Sequence, residues 1–175
     1  MDLLDLLDAG AGLGKPNFHV AADPGVALSF GLEVEQLRWQ LSLYNLTQIQ
    51  KQTNALVAAE KRDDTTNANP NATKVSRVFF AHGDITNCTS LIPFTHVYSF
   101  DVGFPPIVME AVACAFNNSR VQFLVSFQTP TRVREHACIV LHCVNMLNMC
   151  TPVHGVLWIS RTIVDQSTHS HGRFP

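Results

Sequence analysis

Leu3-Leu4-Asp5-Leu6-Leu7-Asp8-Ala9-Gly10-Ala11-Gly12-Leu13-Gly14-Lys15-Pro16 is the stretch on which the fold turns. Leu3 to Leu7 is a short apolar run ended by Asp8 and a string of glycines, the pattern of a buried strand in a parallel sheet. Glycines at 10, 12 and 14 let the backbone turn sharply and let a ligand approach the main chain. The residues after them predict a helix over Lys15–Ala22, with Pro16 in its first turn, where a missing N–H costs nothing. Strand, glycine turn and helix together make the opening unit of a doubly wound α/β sheet.

The rest of the chain repeats that alternation. Val26 to Leu32 predicts a second strand ending at Glu33. Val34, Leu37, Leu41, Tyr44 and Ile49 recur at helical spacing and predict a helix to about Lys51. Residues 61–73 (KRDDTTNANPNAT) are polar and read as an exposed loop. Strands are expected over Val78–Ala81, Val97–Phe100 and Val121–Phe127, with a helix over Ile107–Phe116 after Pro105 and Pro106. Ile139–Val144 and Val156–Ile163 are β-prone runs separated by Pro152 and Gly155, which fits a C-terminal antiparallel hairpin. The expectation is one α/β domain over residues 1–165, followed by a frayed tail over 166–175.

Composition bounds the function. The chain has 175 residues, is 46% hydrophobic and 15% charged, and carries a formal net charge of −2. That balance argues against a domain that holds nucleic acid by bulk electrostatics. No apolar run reaches the ~18 residues a bilayer-spanning helix needs. Asp2 and Asp5 follow Met1 at once, the wrong start for a signal peptide, so the five Cys read as reduced thiols in an intracellular protein. His136, Cys138, His142, Cys143, Cys150 and His154 contain no C-x-x-C pair and match no zinc spacing, so no metal site is expected. The chain also lacks a G-x-S-x-G nucleophile elbow.

The glycine loop admits two ligand classes, dinucleotides and S-adenosylmethionine. The dinucleotide fingerprint G-x-G-x-x-G requires glycine at position 15, where this chain has Lys15. The fit is to D-x-G-x-G-x-G, and Asp8 would repel a pyrophosphate but suits the ammonium end of S-adenosylmethionine. Glu33, at the end of the second strand, sits where an acid accepts hydrogen bonds from ribose hydroxyls. Asp84, after the third strand, can accept from an adenine amino group. Three acids at three consecutive strand ends favour S-adenosylmethionine as the cofactor.

The segments DLLDAGAGLGKPNFHVA (residues 5–21), FFAHGDITN (79–87), FDVGFPP (100–106) and LVSFQTP (124–130), with Glu33 between the first two, resemble the disruptor-of-telomeric-silencing (DOT) histone lysine methyltransferases. These are class I enzymes without a SET domain. The resemblance implies a class I, Rossmann-like methyltransferase sheet. It implies a donor site lined by Asp8, Ala9, Gly10, Ala11, Gly12, Leu13, Gly14, Lys15, Pro16, Asn17, Glu33, Asp84 and Ile85. It places Asp101 near the transferred methyl, where the family usually has Asn, and Phe104 at the acceptor side; these two are the candidate catalytic residues. The family carries a helical segment before its first strand, so the resemblance implies a domain whose front segment is missing. It further implies a nuclear protein with a histone or nucleosome partner.

The chemistry expected from the resemblance is methyl transfer to a lysine ε-amine, which is neutral about once in 2,500 molecules at pH 7. An apolar channel would lower that cost by disfavouring the ammonium. The charges speak against autonomous nucleosome docking: Lys61 and Arg62 precede Asp63 and Asp64, and Arg132 and Arg134 adjoin Glu135. Two alternatives stand beside the histone reading. One is a class I methyltransferase with a small-molecule or non-histone protein substrate, the other an inactive remnant of the fold.

Overall fold

The computed structural model describes residues 3–60, 77–128, 142–144 and 157–160. Its elements in chain order are β1 (Leu4–Ala9), α1 (Lys15–Ala21), β2 (Val26–Glu33), α2 (Gln36–Glu60) and β3 (Val78–His82). A single 3-10 turn (Ile85–Asn87) follows, then β4 (His96–Ser99), α3 (Pro106–Asn117), β5 (Phe123–Ser126), β6 (His142–Val144) and β7 (Leu157–Ser160). The strands lie in the order β3-β2-β1-β4-β5-β7-β6. β1 to β5 pair in parallel. β7 pairs antiparallel with β5 and with β6, and the residues that join β6 to β7 lie outside the described set. The chain order reverses between β1 and β4, so the C-terminal ends of these two strands form the crevice where an open α/β sheet takes its ligand.

Strand alternation sorts the side chains onto two faces. Leu7, Ala9, Val97 and Leu124 point to one face and pack with Ile85, Leu91 and Val121 against Val112, Ala115 and Phe116 of α3. The helix starts at Pro106, whose missing N–H needs no partner there, and it buries Met109, Val112, Ala113, Ala115 and Phe116, a stripe at helical spacing. Fully burying an aliphatic or aromatic side chain contributes about 1.5–3 kcal/mol, which makes this layer the main source of stability. The opposite face carries α1 and α2. Asn17 of α1 is fully buried and donates from Nδ2 to Ser29 Oγ of β2 at 3.1 Å, while Ser29 Oγ donates to the Asn17 carbonyl at 3.1 Å. Phe18 meets Phe80 edge to face, and Trp39 of α2 stacks on His82 of β3.

Several element boundaries differ from those the sequence predicts, for local physical reasons. β1 does not stop before Asp8: the ladder with β2 continues through Asp8↔Gly31 and Ala9↔Leu32, which keeps a carboxylate inside the sheet. β4 and β5 end at the pair Ser99↔Ser126, so Phe100 and Phe127 lie beyond the strands. α2 continues past Lys51 to Glu60. Of the apolar stripe expected to face the core, Val34, Leu37, Leu41 and Tyr44 are exposed and Ile49 is half-buried, while Ser42, wholly buried, marks the face that meets the sheet. The polar segment 61–73 and the tail 166–175 lie outside the described residues.

Candidate functional site

The loop between β1 and α1 follows from its glycines. Gly10, Gly12 and Gly14 all adopt positive φ, where an L side chain is strained. At Gly14 the space is closed as well, because an added Cβ would stand 2.3 Å from Phe80 Cζ. The loop folds back onto the end of β2: the N–H groups of Gly10 and Ala11 both donate to the Leu32 carbonyl, at 2.9 and 3.0 Å. Glu33, one residue on, fixes the rest. Its Oε2 accepts from Gly12 N at 2.6 Å and its Oε1 from Glu35 N at 2.9 Å, so this buried carboxylate ties the glycine loop to the start of α2.

Asp8 behaves differently. It is 1% exposed, and its Oδ2 has no hydrogen-bond partner among the described residues. Burial, and secondarily the charge of Glu33, raise its carboxyl from the ordinary 3.8 to about 7. It lines a cavity of about 370 Å³ together with Gly10, Ala11, Leu13, Lys15, Pro16, Tyr98 and Phe100. This cavity sits at the switch point between β1 and β4. A larger cavity, about 880 Å³, opens at the opposite, N-terminal edge of the sheet, beside Leu4, His96 and Gln122. We assign the site to the smaller one, because sheets of this kind bind ligands beyond the carboxyl ends of their strands.

The residues marked in the sequence thus separate. Asp8, Gly10, Ala11, Leu13, Lys15 and Pro16 meet at the cavity. Ala9 is buried in the sheet and Asn17 in the core, where it pins α1 to β2. Asp84 caps the 3-10 turn by accepting from Thr86 N at 2.8 Å, a bond that holds its carboxyl below the usual value, and Ile85 is in the hydrophobic core. Tyr98 and Phe100 line the cavity without having been singled out from the sequence. The signal was available: both fall in the predicted fourth strand, toward the ligand-binding edge.

Asp101 and Phe104 are both engaged by the fold just beyond β4. The Asp101 carboxylate is buried and accepts from Ser126 Oγ at 2.5 Å and from Phe127 N at 2.9 Å, while its carbonyl accepts from Gln128 Nε2. It clamps the end of β5 to the end of β4 and does not present an open carboxylate to the cavity. Phe104 closes a turn by donating its N–H to the Asp101 carbonyl at 3.0 Å, and its ring lies against Gly10. Its place is the wall behind the glycine loop. The side chains of His136, Cys138, His142, Cys143, Cys150 and His154 lie outside those the structure describes.

Comparison with solved structures identifies the architecture. The chain superposes on the methyltransferase domain of bacterial CtHen1-CN with a TM-score of 0.57 and 11% identity, covering 90% of each chain. It superposes on an RNA methyltransferase from Salinibacter ruber, bound to S-adenosyl-L-homocysteine, with a TM-score of 0.53 and 15% identity, covering 88% of this chain and 76% of the other. The fold is that of the class I methyltransferases. The chain spans only about two fifths of some other structures it matches, 38% of the [4+2]-cyclase SpnF and 41% of an S-adenosylmethionine-dependent methyltransferase from Geobacter sulfurreducens. No protein-family model and no curated protein matches the sequence. The methyltransferase fold therefore rests on structure, and the resemblance to the histone lysine enzymes rests on the quoted segments alone.

Proposed function

We propose that this chain binds S-adenosylmethionine at the β1–β4 crevice and transfers its methyl group to a small molecule or a non-histone protein. One observation carries the reading: a buried carboxylate oxygen of Asp8 without a partner, at a cavity bounded by a positive-φ glycine loop. A buried carboxylate without its full set of partners is costly, and a ligand ammonium satisfies it. The residues present fit the donor: Asp8 takes the ammonium, Lys15 the carboxylate, and the loop is open at Gly12, where an added Cβ would meet nothing within 4 Å. Glu33 remains the ribose candidate, and in this reading it acts while still holding Gly12.

When bound, S-adenosylmethionine supplies an electrophilic methyl on a sulfonium. The chain's own contribution is positional. The glycine loop and Asp8 fix the amino-acid end of the donor, and the Asp101 clamp holds the ends of β4 and β5 in register. Tyr98, half-buried, and Phe100, at the mouth, give the crevice an aromatic side. Alignment of this kind accounts for a large part of the catalysis of in-line transfers. The Tyr98 phenol is pushed above its ordinary value by burial, by Asp8 and by Asp101, so it stays protonated at neutral pH.

The acceptor class follows from the rim. Phe100 lines the cavity and is exposed, Val102 and Ile107 in the segment after it are exposed as well, and the chain as a whole has a formal net charge of −2. An apolar rim on a weakly acidic chain suits a small or apolar acceptor better than a phosphate-rich nucleosome. Calorimetry tests the donor reading: S-adenosylmethionine binds the parent, and Asp8→Ala weakens it about ten- to a hundredfold, the worth of charge-assisted hydrogen bonds. Absence of binding by the folded parent leaves the inactive remnant. A transfer screen with radiolabelled donor over free histones, nucleosomes and small-molecule pools tests the acceptor: efficient, salt-insensitive labelling of nucleosomes restores the histone reading.

A further inference from the structure

S-adenosylmethionine carries three charges at neutral pH: an ammonium, a carboxylate and a sulfonium. The crevice offers Asp8 to the first and Lys15 to the second. The same cavity also carries two aromatic rings, Tyr98 in β4 and Phe100 directly after it. These rings are braced. Phe127 meets Tyr98 with ring centroids 5.9 Å apart at 80°, and Phe100 at 4.9 Å and 66°. Phe127 is itself held by its backbone N–H, which donates to Asp101 Oδ1 at 2.9 Å. A ring buttressed in this way offers a fixed π-face, and ligand cations are attracted to such faces, more strongly where water is excluded.

We propose that Tyr98 and Phe100 recognise the donor's sulfonium, so that the crevice prefers the charged methyl donor to its neutral demethylated product. The inference rests on the donor reading above and adds to it two residues that set specificity. It also assigns a role to Asp101, a positioning residue that acts through Phe127. Transfer of the methyl leaves the sulfur as an uncharged thioether and thereby removes the attraction, which favours exchange of product for fresh donor.

The test is a ratio of affinities. S-adenosylmethionine and S-adenosylhomocysteine are titrated by calorimetry into the parent and into Tyr98→Leu, Phe100→Leu and Tyr98→Phe. Each leucine variant is expected to lose about tenfold in affinity for S-adenosylmethionine and less than about threefold for S-adenosylhomocysteine. Tyr98→Phe keeps the ring and is expected to keep the parent's ratio. Equal losses for the two ligands, or a Tyr98→Phe variant as impaired as Tyr98→Leu, overturn the proposal. Should a leucine variant fail to fold, the parent decides alone. Sinefungin, which carries an ammonium where the donor has its sulfonium, binds it more tightly than S-adenosylhomocysteine if the rings act on charge; equal binding overturns the idea. A folded parent that binds none of these ligands overturns the donor reading and this proposal together, whereas binding with an unmoved ratio overturns this proposal alone.

Discussion

Asp8 and Asp101 stand at the ends of adjacent parallel strands, both almost fully buried. Their surroundings could hardly differ more. Asp101 has a hydroxyl and a backbone N–H on its carboxylate and an amide on its carbonyl, all from the end of β5. Asp8 has an oxygen with no partner among the described residues and the charge of Glu33 nearby. A carboxylate whose lone pairs are filled by the fold stabilises the fold. One that the fold leaves wanting is held at a cost that a ligand can offset. The sequence shows two acids at strand ends; their partners assign one to structure and the other to binding.

The largest expected effect comes from breaking the structural acid. Asp101→Ala leaves Phe127 N–H and Ser126 Oγ without their acceptor and should destabilise the protein by about 2–4 kcal/mol, measured by urea denaturation. A loss under about 0.5 kcal/mol, the range of a surface substitution, would remove the contrast between the two acids. Asp8→Asn should act in the opposite sense on the ligand-free protein. It removes an uncompensated buried charge, so stability at pH 8 rises, while donor affinity falls about ten- to a hundredfold. A destabilised Asp8→Asn variant with unchanged donor affinity would reverse our assignment.

The contrast has a pH signature. Because the folded state raises the Asp8 carboxyl from 3.8 to about 7, the folded protein holds more protons than the unfolded chain between those values. The stability this group contributes is fully present below pH 3.8 and is lost as pH rises through about 7. Donor binding runs the other way, since the ammonium pairs with the ionised carboxylate. The rise in melting temperature caused by S-adenosylhomocysteine should therefore be larger at pH 8 than at pH 6, and that difference should vanish in Asp8→Asn. Equal protection of the parent at both pH values would show that Asp8 does not titrate between them.

The backbone of this site was legible in the sequence because glycine spacing encodes geometry. Gly10, Gly12 and Gly14 occupy positive φ, and only a narrow set of turns uses that pattern after a strand. The side-chain roles were less legible. Glu33 and Asp101 each sit at a predicted strand end, yet whether an acid faces solvent, ligand or backbone N–H groups depends on neighbours distant in sequence: Gly12 lies 21 residues from Glu33, and Phe127 lies 26 from Asp101. The packed face of α2 was hidden for another reason. Beside the expected stripe Val34-Leu37-Leu41-Tyr44-Ile49 the segment carries a second, Trp39-Leu43-Leu46, and periodicity cannot say which one meets the sheet. The stacking of Trp39 on His82 and the small Ser42 at the contact selected the second.

Glu33 gives the smallest effect and the finest test. It resembles Asp101 in having both oxygens occupied by donors of the fold, here two backbone N–H groups, yet it acts on Asp8 through its charge. Glu33→Gln keeps the size, loses one acceptor toward Gly12 or Glu35, and removes the repulsion. It should cost about 1–2 kcal/mol in stability through the lost bond. It should also let Asp8 ionise more readily, which moves the pH midpoint of donor binding downward. Part of the elevation should remain, because burial is the larger of the two causes. Calorimetric titrations across pH 5–8 read that midpoint directly. An unmoved midpoint would mean that Glu33 serves the loop alone and that burial by itself holds Asp8 poised; a midpoint that returns to the ordinary carboxylate range would mean that charge repulsion, and not burial, sets the site's affinity for a cation.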